Sequence, residues 1–139
     1  MIHYLDTSAA LKLLVEEAES GELAAVLDAA IRAGDRLVAS MLLLTELHCA
    51  ARRRGNGILI SSVTTVLDGL LLVDVERSDL VTAATSEWGL RSADSIHLAT
   101  ALRIEADHVV TYDAELQAAA ARTGLSVLAP SARRRSARR

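Results

Sequence analysis

The chain has 139 residues, 51% of them hydrophobic and only 2% aromatic, with no phenylalanine and a single cysteine, Cys49. That length argues for one domain, the hydrophobic share excludes a disordered chain, and one cysteine excludes a disulfide scaffold or a cysteine-rich zinc site. The net charge of −3 hides an asymmetry: residues 131–139 carry five arginines and no acid, leaving 10 bases against 18 acids in the other 130 residues. An acidic body suits a nucleic-acid partner only if something neutralises it locally, and a metal ion is the obvious candidate. No apolar run approaches the ~18 residues of a membrane span, and Asp6 interrupts the place where a signal peptide needs its apolar stretch. A soluble, cytoplasmic protein is the expectation.

Ile2–Leu5 is a strand candidate that stops at Asp6-Thr7-Ser8, a helix-opening sequence. Leu11, Leu14 and Val15 give the next helix a short apolar face. Leu23, Val26, Leu27, Ala30 and Ile31 then recur at helical spacing before Gly34. These two helices carry more apolar side chains than one face needs, so some are expected to form a groove for a partner helix. Leu37–Ala39 is the second strand, and Ser40 is expected to cap a helix running to Arg54. Ile60, Val63, Leu67 and Leu70 mark a further helix, followed by a strand over Leu71–Val75. Helices over Ser78–Trp88 and Ser92–Glu105, a strand over Val109–Thr111, a helix over Ala114–Arg122 and a strand over Ser126–Leu128 complete the order. Strands separated by helices imply right-handed crossovers and a parallel sheet covered on both faces, an α/β fold. The body spans 1–130, and 131–139 reads as a basic tail without an apolar stripe, flexible in the absence of a partner.

In open parallel sheets, ligands bind beyond the carboxyl ends of the strands. Asp6 ends the first strand and Asp113 follows the fourth. Glu46 sits about two turns into the helix after the second strand, and Asp94 falls in the first turn of the Ser92 helix. Each has a structural explanation: an Asp after a strand is commonly a helix cap, and Asp94 complements a helix dipole. Glu46 lies between Leu42-Leu43-Leu44 and Leu47, an unusually apolar setting for a surface acid. Convergence changes the weighing, because two carboxylates ~5 Å apart repel by about 3 kcal/mol at an effective dielectric of 20. Four in one pocket need protons or a cation, and hard oxygen donors favour Mg²⁺ or Mn²⁺ over zinc.

The segments Leu5-Asp6-Thr7-Ser8-Ala9, Thr45-Glu46, Leu90 to Ala99 and Val110-Thr111-Tyr112-Asp113 resemble the four acidic motifs of PIN-domain ribonucleases. Their order and spacing are similar to those of VapC-type toxins of bacterial type II toxin–antitoxin pairs, over essentially the whole chain to Pro130. The resemblance implies a five-stranded parallel sheet in the order 3-2-1-4-5 and a Mg²⁺-dependent endoribonuclease restrained by a small antitoxin. It also implies a homodimer. Residue by residue, Asp6, Glu46, Asp94 and Asp113 match the family's catalytic, metal-holding quartet, and Ser8 and Thr111 match its supporting hydroxyls.

Other residues carry weaker signals. Arg52, Arg53 and Arg54 could touch RNA phosphates, as could Arg133, Arg134 and Arg135 of the tail, although a helix C-terminus explains the first group equally well. His97 reads as a hydrogen-bonded packing residue, Cys49 as a small buried one, and Trp88 as packing. Three alternatives stay open. A catalytically silent PIN-like partner-binding domain would need none of the acids. An Asp-nucleophile phosphohydrolase would use Asp6, but its usual second Asp is Ser8 here. A receiver-type signalling module would want a lysine near the last strands, and the only lysine is Lys12.

Overall fold

The computed structural model describes residues 1–54, without the Arg54 side chain, and 57–132. The expectations for Arg133, Arg134, Arg135 and the rest of the tail beyond residue 132 fall outside the described residues. The chain runs β1 (Ile2–Leu5), α1 (Thr7–Leu14), α2 (Ser20–Arg32), β2 (Arg36–Ser40), α3 (Met41–Arg54), α4 (Ile60–Asp68), β3 (Leu71–Val73), α5 (Arg77–Thr85), α6 (Ser92–Arg103), β4 (His108–Val110), α7 (Ala114–Arg122) and β5 (Ser126–Leu128). The sheet is parallel throughout in the order β3-β2-β1-β4-β5, with Tyr4 in register with Val38 on one side and Val109 on the other. This is the single α/β domain, and the strand order, that the sequence motifs imply.

Strand alternation divides the core. Tyr4, Val38 and Val109 face α6 and α7 and pack with Leu98, Leu116 and Ala120, while Leu5, Leu37 and Val110 face the other way onto Leu23 and Leu27 of α2. A strand buried on both faces reads as a nearly unbroken apolar run, which is what β1, β2 and β4 show. A third cluster joins Leu43 and Leu47 of α3 to Val63 and Leu67 of α4 and takes in Leu11 and Leu14. The groove expected from the first two helices is therefore met only in part. Leu11, Leu14, Leu23 and Leu27 pack into the body, and what stays open is a hollow of about 200 Å³ between α1, α2 and α4, lined by Leu13, Ala24, Ile31 and Val66 among others.

Several local expectations change. Helix α5 stops at Thr85, not Trp88, because Ser86 turns extended and the following segment brings Trp88 and Leu90 inward against the Tyr4 cluster. Gly89 then supplies a positive φ of 71° for the return into α6, a conformation that costs glycine little. Ser40 ends β2 instead of capping α3 with its hydroxyl, and its buried Oγ has no hydrogen-bond partner among the described residues. Cys49 is exposed, not buried. The buried stripe of α3 runs through Leu43, Leu47 and Ala51 at four-residue spacing, and a residue two beyond Leu47 falls on the far side of the helix.

Candidate active site

Where β1 ends, Asp6 caps α1 and is only 2% exposed. Its Oδ1 accepts hydrogen bonds from the Ala9 amide at 3.0 Å and from Ser8 Oγ at 2.7 Å, and its Oδ2 accepts from Thr111 Oγ1 at 2.7 Å. Burial pushes its carboxyl above the ordinary range, and the bonds from Thr111, the Ala9 amide and Ser8 oppose that shift. The same two hydroxyls tie the ends of β1 and β4 together: Ser8 Oγ accepts from the Tyr112 amide at 2.9 Å, and Thr111 Oγ1 from the Asp113 amide at 3.1 Å. Thr111 lies just beyond β4, whose last residue is Val110.

Glu46 lies on α3, half-buried. Thr7 Oγ1 donates to its Oε1 at 2.7 Å, and His97 Nε2 meets the same oxygen at 2.6 Å. Burial works against the charge, but the His97 and Thr7 bonds outweigh it and hold the Glu46 carboxyl below its usual range. His97 comes from α6, is 1% exposed, and places its Nδ1 at 2.7 Å from the Tyr4 hydroxyl. It is buried and hydrogen-bonded, as the sequence suggests, with both ring nitrogens engaged.

Asp94 and Asp113 line a cleft of about 260 Å³ with Arg91, Ala114 and Glu115. Asp113 Oδ1 accepts from the Leu116 amide at 2.8 Å and caps α7, so both post-strand aspartates are helix caps, and Asp113 lines the cleft as well. Asp94, in the first turn of α6, has no hydrogen-bond donor among the described residues. Burial, then repulsion from Asp113 and Asp6, pushes its carboxyl from 3.8 up to about 6, with Glu46 adding to the rise. Asp94 thus feels the other three acids, which follow β1, β2 and β4 at the carboxyl edge of the sheet.

These residues fit a hard divalent cation in their chemistry: oxygen donors only, an excess of negative charge, and one carboxylate with nothing to neutralise it. Their present side-chain positions do not gather three His, Cys, Asp or Glu groups around one point among the described residues. Asp6 and Glu46 are drawn instead to the hydroxyls and the imidazole.

Arg52 and Arg53 are exposed on the last turn of α3 and do not line the cleft. The base that does line it is Arg91, which the sequence reading passed over. Its signal was position, three residues before Asp94 and directly before a helix start. Thr7 was also missed, although it stands inside the Asp6 motif. Lys12, the one lysine, is committed to Glu17 and Glu19 at 2.7 and 3.0 Å and sits over the Tyr112 ring, so it is not placed as a receiver-type lysine.

The sequence matches the PIN domain model over residues 3–122. It is 35% identical to Ribonuclease VapC47 of Mycobacterium tuberculosis (strain CDC 1551 / Oshkosh), a match covering 93% of this chain and 97% of that one. It is 37% identical to Ribonuclease VapC46 of Mycobacterium tuberculosis (strain ATCC 25618 / H37Rv), covering 92% and 97%. Among solved structures, VapBC2 from Rickettsia felis, bound to a DNA fragment from its promoter, shares the fold with a TM-score of 0.71 at 14% identity, over 92% of this chain and 98% of that chain. A PIN model matching most of the chain, and curated relatives matching nearly end to end, place this protein in the PIN domain family among the VapC ribonucleases.

Proposed function

We propose that this protein is a divalent-metal-dependent endoribonuclease, the toxin of a toxin–antitoxin pair, and that Asp6, Glu46, Asp94 and Asp113 form its catalytic, metal-holding site. The observation that carries this reading is the state of Asp94: a carboxyl pushed up to about 6 at the mouth of a cleft, crowded by three other acids and without a donor. Mg²⁺ is the expected ion, with Mn²⁺ as a substitute. When bound, such an ion supplies positive charge at the scissile phosphate and makes water a better nucleophile. The chain's own part is orientation. Ser8, Thr111 and the Ala9 amide hold the Asp6 carboxylate, and Thr7 and His97 hold one oxygen of Glu46. Arg91, which lines the same cleft as Asp94 and Asp113, is the base we propose to meet a substrate phosphate.

The partners we propose are an antitoxin protein, a second copy of the chain and RNA, met in the cytoplasm. No helix among the described residues is long and apolar enough to cross a membrane. The relatives named ribonucleases and the related fold solved as the VapBC2 assembly support the first and last of these. The basic tail is proposed as a substrate arm. Its root is tied to the body, since the Tyr112 hydroxyl donates to the Pro130 carbonyl at 2.7 Å.

The test is digestion of total cellular RNA by antitoxin-free protein with and without Mg²⁺, followed by mapping of new 5′ ends. Discrete cuts that vanish on chelation and in Asp6→Asn are expected. Cleavage that persists in the chelator or in Asp6→Asn would overturn the metal site, and no cleavage with any divalent ion would favour the silent partner-binding reading.

A further inference from the structure

Four side chains drawn from β1, α1, α3 and α6 form one hydrogen-bonded cluster that runs from the core to Glu46, one of the acids that repel Asp94. The Tyr4 hydroxyl meets His97 Nδ1 at 2.7 Å, His97 Nε2 meets Glu46 Oε1 at 2.6 Å, and Thr7 Oγ1 donates to that same oxygen at 2.7 Å. Tyr4 is fully buried and His97 is 1% exposed, so these groups have little water to fall back on. The proton positions follow from the donors. An ionised Glu46 only accepts, so Nε2 carries a hydrogen toward it. Burial keeps the proton on the Tyr4 phenol, so in a ring that carries its single hydrogen on Nε2 the Nδ1 lone pair, 2.7 Å away, is the acceptor of that proton. Both bonds on Glu46 land on Oε1, and Oε2 has no donor among the described residues.

We propose that His97 is a positioning residue for Glu46, its hydrogen kept on Nε2 by the Tyr4 hydroxyl, and that together with Thr7 it clamps Oε1 so that Oε2 alone is presented to a cation held among the four acids. This rests on the metal reading of the four acids. It assigns a task to two core residues that touch neither ion nor substrate. A ligating carboxylate steered by its outer partner is the general pattern, and loss of such a partner commonly weakens metal binding roughly 10–100-fold. A histidine that merely filled space would be replaceable by any side chain of its volume.

The experiment titrates the full chain with Mn²⁺ alone by calorimetry, comparing His97→Leu, His97→Gln, Glu46→Ala and the double variant His97→Leu/Glu46→Ala. Glutamine keeps an N–H donor near the position of Nε2, and leucine removes it. His97→Leu should weaken Mn²⁺ roughly 10-fold or more, His97→Gln should recover most of that, and the double variant should bind no worse than Glu46→Ala. Equal affinity in wild type and His97→Leu, or the same further loss in the Glu46→Ala background, would overturn the proposal. Failure of the wild type to bind Mn²⁺ would instead remove the metal reading and this proposal with it. Should the leucine variant not fold, nitrogen NMR of the metal-free wild type decides. A neutral ring protonated on Nε2, and loss of that single tautomer in Tyr4→Phe, are expected. A ring protonated on Nδ1 would overturn the arrangement.

Discussion

Asp79 and Asp94 occupy the same place in consecutive helices, each the third residue of its own, and they meet opposite fates. Asp79 is 1% exposed, yet donors surround it: the Glu76 amide at 2.9 Å, Thr100 Oγ1 at 3.2 Å and Arg103 Nε at 2.8 Å. Burial opposes its charge, but Arg103 and the other donors outweigh it and hold its carboxyl below the ordinary range. Asp94 is less buried, has no donor, and faces other acids, so its carboxyl is pushed up to about 6. What separates the two acids here is the sign of the neighbours, not the depth of burial. Asp79 and Arg103 pin α5 to α6, and that pinned pair of helices carries the strained carboxylate.

The sharpest way to break this contrast is to remove the charge of the strained acid. Asp94→Asn should lower RNA cleavage more than about 100-fold, beyond the usual effect of losing an outer-shell partner. In chelator, the same variant should unfold later than wild type, by about 1–2 kcal/mol after allowing for the solvent that reaches a half-buried carboxylate. Urea denaturation measures this, and an equal or lower stability would mean that the acids do not burden the fold.

Asp79→Ala should do the reverse, costing about 3 kcal/mol in the same assay because it strips the partner from a largely buried pair. The residual folded enzyme should cut RNA at unchanged positions.

A pH series distinguishes the two without mutation. Between 3.8 and about 6, folded Asp94 holds a proton that the unfolded chain has released, so stability falls as pH rises through that window. Asp6, also raised, works in the same direction. Asp79 contributes fully above 3.8 and loses its contribution as pH falls through its lower folded value. Metal-free protein should therefore gain stability from pH 7 toward pH 5 and lose it below pH 4. The first limb should shrink in Asp94→Asn and in saturating Mn²⁺.

The smallest effect belongs to the tail. Deleting residues 131–139 should weaken RNA binding a few-fold at moderate salt and flatten its salt dependence by up to about 0.7 per lost phosphate contact on single-stranded RNA. Cut positions should not move, since phosphate contacts carry little sequence information. An unchanged salt slope would show that the tail is not a substrate arm.

Much of this was legible in the order of residues. The alternation Tyr4/Leu5, Leu37/Val38 and Val109/Val110, broken by helical spacing between, dictates a parallel sheet covered on both faces, because burial of each strand depends on its own side-chain pattern. The four acids could be located at strand ends and early helix turns for the same local reason. Their motifs added the strand order, which periodicity does not contain.

Folding decided what those acids experience. From its own neighbours in sequence, Asp94 is a helix-opening aspartate like Asp79; its repulsion comes from Asp6, Glu46 and Asp113, and the relief of Asp79 from Thr100 and Arg103. His97 looked like packing because its partners lie far along the chain, Tyr4 at 93 residues and Glu46 at 51. Local pattern determines which face of an element is buried. Charge state and hydrogen-bond partner belong to the space between elements, so only the assembled structure could decide them.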